Sequence, residues 1–297
     1  MWDAIVNSAG VLTGEFQRGS LAAYLIIAAI GLCAGSFLSV AVNRLPRMEG
    51  LDDSETPNAA SPDGRYNLAT PASHCVRCGH SIRWYENIPV VSYIALRARC
   101  SACGARISML YPTTEILACA VAVIALWRFE QPGPAFGAMA LGWALIAISA
   151  IDLRERYIPD LIVLPMIWIG LACNAFSLFA NPAHAIFGAI AGYAFLWSLC
   201  FIYRVATGKT GIGRGDFKLL AMLGAWLGIE ALPVVLFISF TSGAVFGLAA
   251  IVFARARLDS AIPFGPFIAA AGWLTLHWSA HITAAYGNFL RTLGIAW

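Results

Sequence analysis

Eight apolar runs of up to about 20 residues dominate this chain, and they limit the folds open to it. They fall at roughly 21–43, 109–127, 135–151, 161–179, 183–203, 217–229, 231–253 and 262–279. Hydrocarbon offers no water to backbone N–H and C=O groups, so such runs cross a bilayer as helices, which satisfy those groups internally. The expected fold class is an all-α polytopic membrane protein of about eight transmembrane helices. Only Gly228 to Leu232 separate the sixth and seventh runs, so that boundary is soft. A charged fraction of 12% and a mean hydropathy of +0.73 agree, because a soluble domain carries about twice that charged fraction. The first run is too long for a cleaved signal, and Asp3, Glu15 and Arg18 precede it rather than a basic start.

Lysine and arginine set the expected orientation. With eight spans, one set of loops carries 16 of the 19 basic residues, and only Arg18, Arg128 and Arg291 lie on the other side. Both termini are therefore expected outside the cytoplasm. The net charge of +3 reflects this loop bias and gives no argument for nucleic acid as a partner. The domain reading is a short non-cytoplasmic N-terminus (1–20), a first transmembrane helix (21–43), a cytoplasmic loop (44–108) and a membrane domain of about seven helices (109–297).

That loop begins as a polar stretch rich in Pro, Gly, Ser and Asp, then carries four of the eight cysteines. CVRCGH (Cys75 to His80) and CSACGA (Cys100 to Ala105) each follow Cys-x-x-Cys with glycine. Two such pairs place four thiolates tetrahedrally around one zinc, and the glycine lets backbone amides approach the sulfurs. Cys75, Cys78, Cys100 and Cys103 are thus the candidate metal ligands, leaving no open position, as in a structural Zn2+ site. Two disulfides and a redox Cys-x-x-Cys are the alternatives; a reducing cytoplasm disfavours the first. Cys33, Cys119, Cys173 and Cys200 fall in apolar spans and read as small buried hydrophobes.

Ionisable residues at membrane depth are functional candidates by default. Four carboxylates matter: Glu115, Asp152, Asp160 and Asp216. Asp152 ends the third span and Asp216 opens the sixth, at the same face and 64 residues apart. Each has a structural reading. Asp216, after Gly215, is a natural N-cap, as is Asp160 after Pro159. Asp152 has Arg154 and Arg156 nearby as partners, and Glu115 suits the first turn of the second span, where it complements the helix dipole. The functional reading is a pair of aspartates sharing a proton. The ionised one takes a proton from water as it attacks a peptide carbonyl, and the protonated one polarises that carbonyl. Gly213 and Gly215 would let an extended substrate backbone approach Asp216, and Lys218 follows on the same turn.

At this point the chain resembles the bacterial type IV prepilin peptidases. The resemblance runs from GSFLSVAVNRLPRM (Gly35 to Met48) to IPFGPFIAAAGW (Ile262 to Trp273). Between them come CVRCGHSIRWYENIPVVSYIAL, LYPTTEIL, IDLRERYIPDLIVLP and GIGRGDFKLLAMLGAWLG, in family order. The resemblance implies a Gly-x-Gly-Asp aspartic protease with Asp152 and Asp216 as its catalytic pair and Asp160 as runner-up for the first role. Gly213, Gly215, Lys218, Asp160 and Glu115 are then supporting residues. It implies cleavage of a short basic leader from type IV prepilins or pseudopilins, on the cytoplasmic side of the bacterial inner membrane. The cut follows glycine and precedes phenylalanine. It further implies N-methylation of the new terminus with S-adenosyl-L-methionine, and metal binding by the four cysteines. Ala98 stands where relatives usually carry glycine, and Leu110 where an arginine is common. The alternatives are an ion-coupled transporter, which would place acids deeper in the spans, and a non-catalytic secretion subunit, which would not need both aspartates.

Overall fold

The structure is a computed structural model that describes residues 20–50, 66–208, 213–254 and 263–292, with residues 279–292 by backbone alone. Among the described residues the regular secondary structure is helical. The helices are α1 (Leu21–Met48), the short α2 (Val91–Ala95), α3 (Leu110–Arg128), α4 (Pro132–Glu155), α5 (Asp160–Ala175), α6 (Pro182–Thr207), α7 (Arg214–Leu227), α8 (Leu232–Ala254) and α9 (Gly265–Thr292). Each of the eight predicted runs falls on one of them. Five described segments are long and apolar enough to cross a membrane: α1, α3, α4, α6 and Ile229–Phe253. Helix α5, with 16 residues, and α7, with 14, fall short of the roughly 20 a full crossing needs, so helix length alone does not give eight spans.

The chain divides into two compact units, Met1–Arg44 with Asp53–Trp143, and Leu45–Asp52 with Ala144–Trp297. In the first, α1 and α3 approach through small residues four apart, the pattern that lets helix backbones pack closely in lipid. A Cβ at Gly31 would lie 2.7 Å from Cys119 Cα, and one at Gly35 would overlap Glu115 Cα. One turn on, the Ser39 and Thr114 hydroxyls hydrogen-bond each other. Arg44, buried at the end of α1, donates to the carbonyls of Asn67 (2.9 Å) and Pro71 (2.6 Å) and so anchors the cysteine segment.

In the second unit α7 is the central element. It is buried from Asp216 to Trp226 except at Lys218, because it is apolar on nearly every face. Helix α6 packs on it through glycines: side chains at Gly188 and Gly224 would each collide with the other's carbonyl. Trp226 donates Nε1–H to Met166 O at 2.8 Å and fills the space left by Gly170. Fully buried Asn174 donates to the free carbonyls of Ala225 (2.8 Å) and Trp226 (2.9 Å) near the end of α7. Its Oδ1 accepts from Phe179 N (3.0 Å) and Ala180 N (2.9 Å). One side chain thus satisfies two buried carbonyls at the end of α7 and two N–H groups of the connection between α5 and α6. Helix α9 closes the unit: Phe264, the residue before it, stacks on Phe240 of α8, and Gly272 lies against Leu223 of α7.

Candidate active site and metal centre

A cavity of about 240 Å³ opens where the end of α4 meets the beginnings of α5 and α7. Its walls carry Asp152, Asp160 and Asp216, together with Arg156, Tyr157, Ile158, Gly213, Arg214, Gly215 and Lys218. Glu115 is not among its lining residues.

Local backbone chemistry sets the positions. Arg156 takes the left-handed conformation (φ 55°) and its N–H returns to Asp152 O at 2.9 Å, which ends α4 one turn beyond Asp152. Extended Pro159 then starts α5. Helix α7 begins at Arg214 after an extended Gly213, so Asp216 is its third residue, with N–H donating to Gly213 O at 3.2 Å. Neither aspartate expected as an N-cap holds that place. Asp216 lies inside the first turn and Asp160 follows the N-cap Pro159, because in both cases the residue already extended lies upstream.

The three aspartates differ in environment. Asp152 and Asp216 are 5% and 8% exposed, and among the described residues neither forms an ion pair. The nearby Arg154 and Arg156 therefore do not neutralise Asp152. Instead, Asp152 Oδ2 accepts from the backbone N–H of Gly265 at 3.0 Å. That N–H is the first of α9 and has no partner inside its own helix, so the carboxylate caps α9 from another element. Asp160 has a 44% exposed side chain and takes Lys218 Nζ on both oxygens at 2.7 Å. Two buried carboxylates thus line the cavity with no ion pair among the described residues, and the third is held in a part-exposed salt bridge.

Ile158 explains the glycines. A Cβ at Gly215 would lie 2.8 Å from Ile158 Cβ, and one at Gly265 would lie 3.3 Å from Ile158 Cδ1 and 2.6 Å from Asp152 Oδ2. The room at Gly215 is thus occupied by Ile158 rather than left open. At Gly213 an added Cβ would meet Asp216 Oδ2 at 3.3 Å. Tyr157 completes the wall. Burial, and then Glu49, push its phenol up to about 12, so it stays neutral. Sequence reading did not assign Ile158 or Gly265 a role. The signal for Gly265 was the glycine directly before proline at a helix start.

Glu115 lies in the second turn of α3, one turn deeper than expected, because the helix already starts at Leu110. It is buried, and its Oε2 accepts from Val90 N at 2.7 Å. The four loop cysteines converge, with all sulfurs within 4.8 Å of one another. Cys75 and Cys103 are 3.8 Å apart and Cys78 and Cys100 are 4.0 Å apart, too far for disulfides. Four sulfurs about 2.3 Å from a tetrahedral zinc sit about 3.8 Å apart, so the cluster fits that ion. Each half is the same turn: Gly79 N donates to Cys75 O and Gly104 N to Cys100 O, with both glycines left-handed at φ 71° and 68°. Burial pushes the Cys75 thiol up, but the N–H groups of Cys78 and Arg77 and the neighbouring sulfurs bring it down to about 7. The His80 N–H lowers Cys78, yet burial and the surrounding sulfurs outweigh it and raise that thiol to about 12. Four thiols this close do not all ionise without a cation among them. The remaining cysteines correct the sequence reading. None is fully buried, and Cys33 is exposed. Ala98 has φ 58°, a conformation glycine adopts without strain.

Comparison with known proteins agrees with this arrangement. Residues 29–129 match the bacterial peptidase A24 N-terminal domain, and residues 139–248 match the type IV leader peptidase family. The chain is 42% identical over 286 residues to a "Prepilin leader peptidase/N-methyltransferase" of Stutzerimonas stutzeri, covering 93% of this chain and 98% of that protein. It is 43% identical to the protein of the same name from Pseudomonas aeruginosa, over 91% of this chain and 95% of that one. A Burkholderia pseudomallei protein of that name is 46% identical over 83% of this chain and 82% of its own length. No solved structure matches. With both of its units matched and relatives aligned over nearly their whole length, the chain belongs to the type IV leader peptidase family.

Proposed function

We propose that this protein is a membrane aspartic endopeptidase that removes the basic leader of type IV prepilins and pseudopilins, with Asp152 and Asp216 as its catalytic pair. The observation that carries the reading is the pair itself: two buried carboxylates on separate helices, facing one cavity. In the mechanism one aspartate, ionised, accepts a proton from the attacking water. The other, protonated, donates to the scissile carbonyl oxygen. The proton taken from water then passes to the departing amine, and as the C–N bond breaks a hydroxyl of the tetrahedral intermediate returns its proton to the other aspartate, which restores the pair. Gly265 N–H fixes one Asp152 oxygen, leaving the other for water or substrate. Asp160 and Lys218 neutralise each other and serve as supporting residues. Both acids lie at helix ends rather than mid-span, which favours a peptidase acting at the membrane face over an ion carrier.

The same reading places the protein in the bacterial inner membrane, with eight crossings, both termini in the periplasm and residues 44–108 in the cytoplasm. Cys75, Cys78, Cys100 and Cys103 would hold a structural zinc that ties the two halves of the loop. The relatives' name supports a second activity, N-methylation of the new terminus with S-adenosyl-L-methionine as donor. Mass spectrometry of a prepilin incubated with the protein in lipid, with that donor, tests both activities. Leader loss must disappear in Asp152→Asn and in Asp216→Asn, and a further gain of one methyl group marks the second activity. Full cleavage by Asp152→Asn would transfer its role to Asp160.

A further inference from the structure

In the first unit, the segment around α2 presents large apolar side chains that no described part of the protein covers. Trp84 is 81% exposed, Val91 60% and Ile94 69%. They belong to one piece of structure, since the single turn Trp84–Asn87 packs against α2. The segment is also held at a defined depth. Val90 sits in a tight turn (φ 59°, ψ −45°) that a β-branched residue rarely adopts. Its N–H donates to Glu115 at 2.7 Å. Helix α3 has 19 residues, so it is about 28 Å long and barely spans a hydrocarbon core of about 30 Å. Its first residue must therefore lie at the edge of that core, and Glu115 lies about 7 Å farther in. The hydrogen bond brings the start of α2 to the level of the lipid rather than of bulk water.

Charge indicates which lipid. Residues 66–108 contain five arginines, Arg77, Arg83, Arg97, Arg99 and Arg106, all exposed, against a single acid. That acid, Glu86, is already engaged by Arg83 N at 2.9 Å and by His80 at 3.4 Å. Exposed aromatic and aliphatic side chains beside arginines that form no ion pair among the described residues are the composition of a surface seated among anionic headgroups.

We propose that residues 84–106 form a membrane-surface foot. Trp84, Val91 and Ile94 enter the headgroup–acyl boundary, while Arg97, Arg99 and Arg106 bind phosphates of anionic lipids. The inference rests on the reading of α1 and α3 as membrane spans, and it does not require peptidase activity. The foot holds the cysteine cluster against the leaflet, where a substrate with an apolar helix behind its leader would arrive.

The test uses the full chain, zinc-loaded, in vesicles of phosphatidylglycerol or of phosphatidylcholine, with a photocrosslinking amino acid at Val91 or Ile94. Crosslinks to lipid acyl chains are expected. Amide exchange over residues 84–97 should be at least tenfold slower in phosphatidylglycerol than in phosphatidylcholine. Arg97→Ala and Arg106→Ala should each reduce that difference about fivefold, with zinc content unchanged as a check on folding. Crosslinks to prepilin or to a second copy of the chain in place of lipid would overturn the proposal, as would equal exchange in the two lipids. Leader cleavage in the same vesicles separates the readings. Cleavage without lipid crosslinks removes the foot alone, and lipid crosslinks without cleavage count against the peptidase alone.

Discussion

Replacing Gly265 with alanine tests whether the backbone donor at the start of α9 sets the geometry of Asp152. The backbone itself accepts the change, since Gly265 is not in the left-handed region. The new Cβ would lie 2.6 Å from Asp152 Oδ2 and 3.2 Å from its Cγ. Comfortable contact needs about 3.5 Å, so the carboxylate must retreat by close to 1 Å. Ile158 Cδ1, 3.3 Å away on the same side, limits relief by rotation of the helix end. That retreat stretches the 3.0 Å hydrogen bond from Gly265 N. A hydrogen bond to a charged group contributes about 1.5–3 kcal/mol, and a 1 Å misplacement at reacting atoms costs about 10²-fold in rate. The two estimates coincide, because 10²-fold corresponds to about 2.7 kcal/mol. The assay is leader cleavage under saturating and limiting prepilin, with thermal unfolding as a control. We expect kcat to fall about 10²-fold with KM within a few-fold of the unaltered protein. A Gly265→Ala protein that is folded and cleaves within threefold of it would refute the positioning role.

Lys218→Met should lower cleavage only a few-fold, and Asp160→Asn likewise. Their bidentate pair is 30% and 44% exposed, which limits its contribution to about 1 kcal/mol or less. Exchanging the two charges should restore part of the loss. Asn174→Leu leaves the buried carbonyls of Ala225 and Trp226 unsatisfied, each costing about 1–3 kcal/mol, and frees two part-buried N–H groups, so the protein should fail to accumulate in membranes, read by immunoblot. Ala98→Gly relieves a left-handed alanine and should stabilise the loop by up to about 1 kcal/mol, seen as a higher unfolding temperature. Zinc affinity should fall as pH falls, because ligands bind as thiolates and Cys78, with its thiol raised to about 12, must lose a proton on binding. Calorimetry in buffers of different ionisation enthalpy should detect that release, and buffer-independent heats would count against it.

Much of this protein was legible in the chain because the deciding physics is local or compositional. A run of about 20 apolar residues has no alternative to a helix in lipid, and each predicted run falls on a helix. Cys-x-x-Cys-Gly dictates its own turn, so two copies point to a four-sulfur cluster, and the sulfurs converge. Asp152 and Asp216 stood out because a carboxylate beside an apolar run is costly. Local reading failed where a residue's partner lies far along the chain. Asp160 and Asp152 look alike in sequence, yet Lys218, 58 residues later, engages one of them and Gly265, 113 residues later, the other. Asp216 and Asp160 both looked like caps, but where each helix starts was settled by Gly213 and Pro159 upstream. Gly215 looks like an opening for a substrate, and only the tertiary packing shows Ile158 filling the space against it. The sequence by itself determined the helices, the four-cysteine cluster and the short list of acids, since these depend on spacing along one chain segment. Which acid is neutralised, which is held by a backbone donor and which stays available depended on the tertiary structure, because those differences arise from contacts that exist only once the helices are packed.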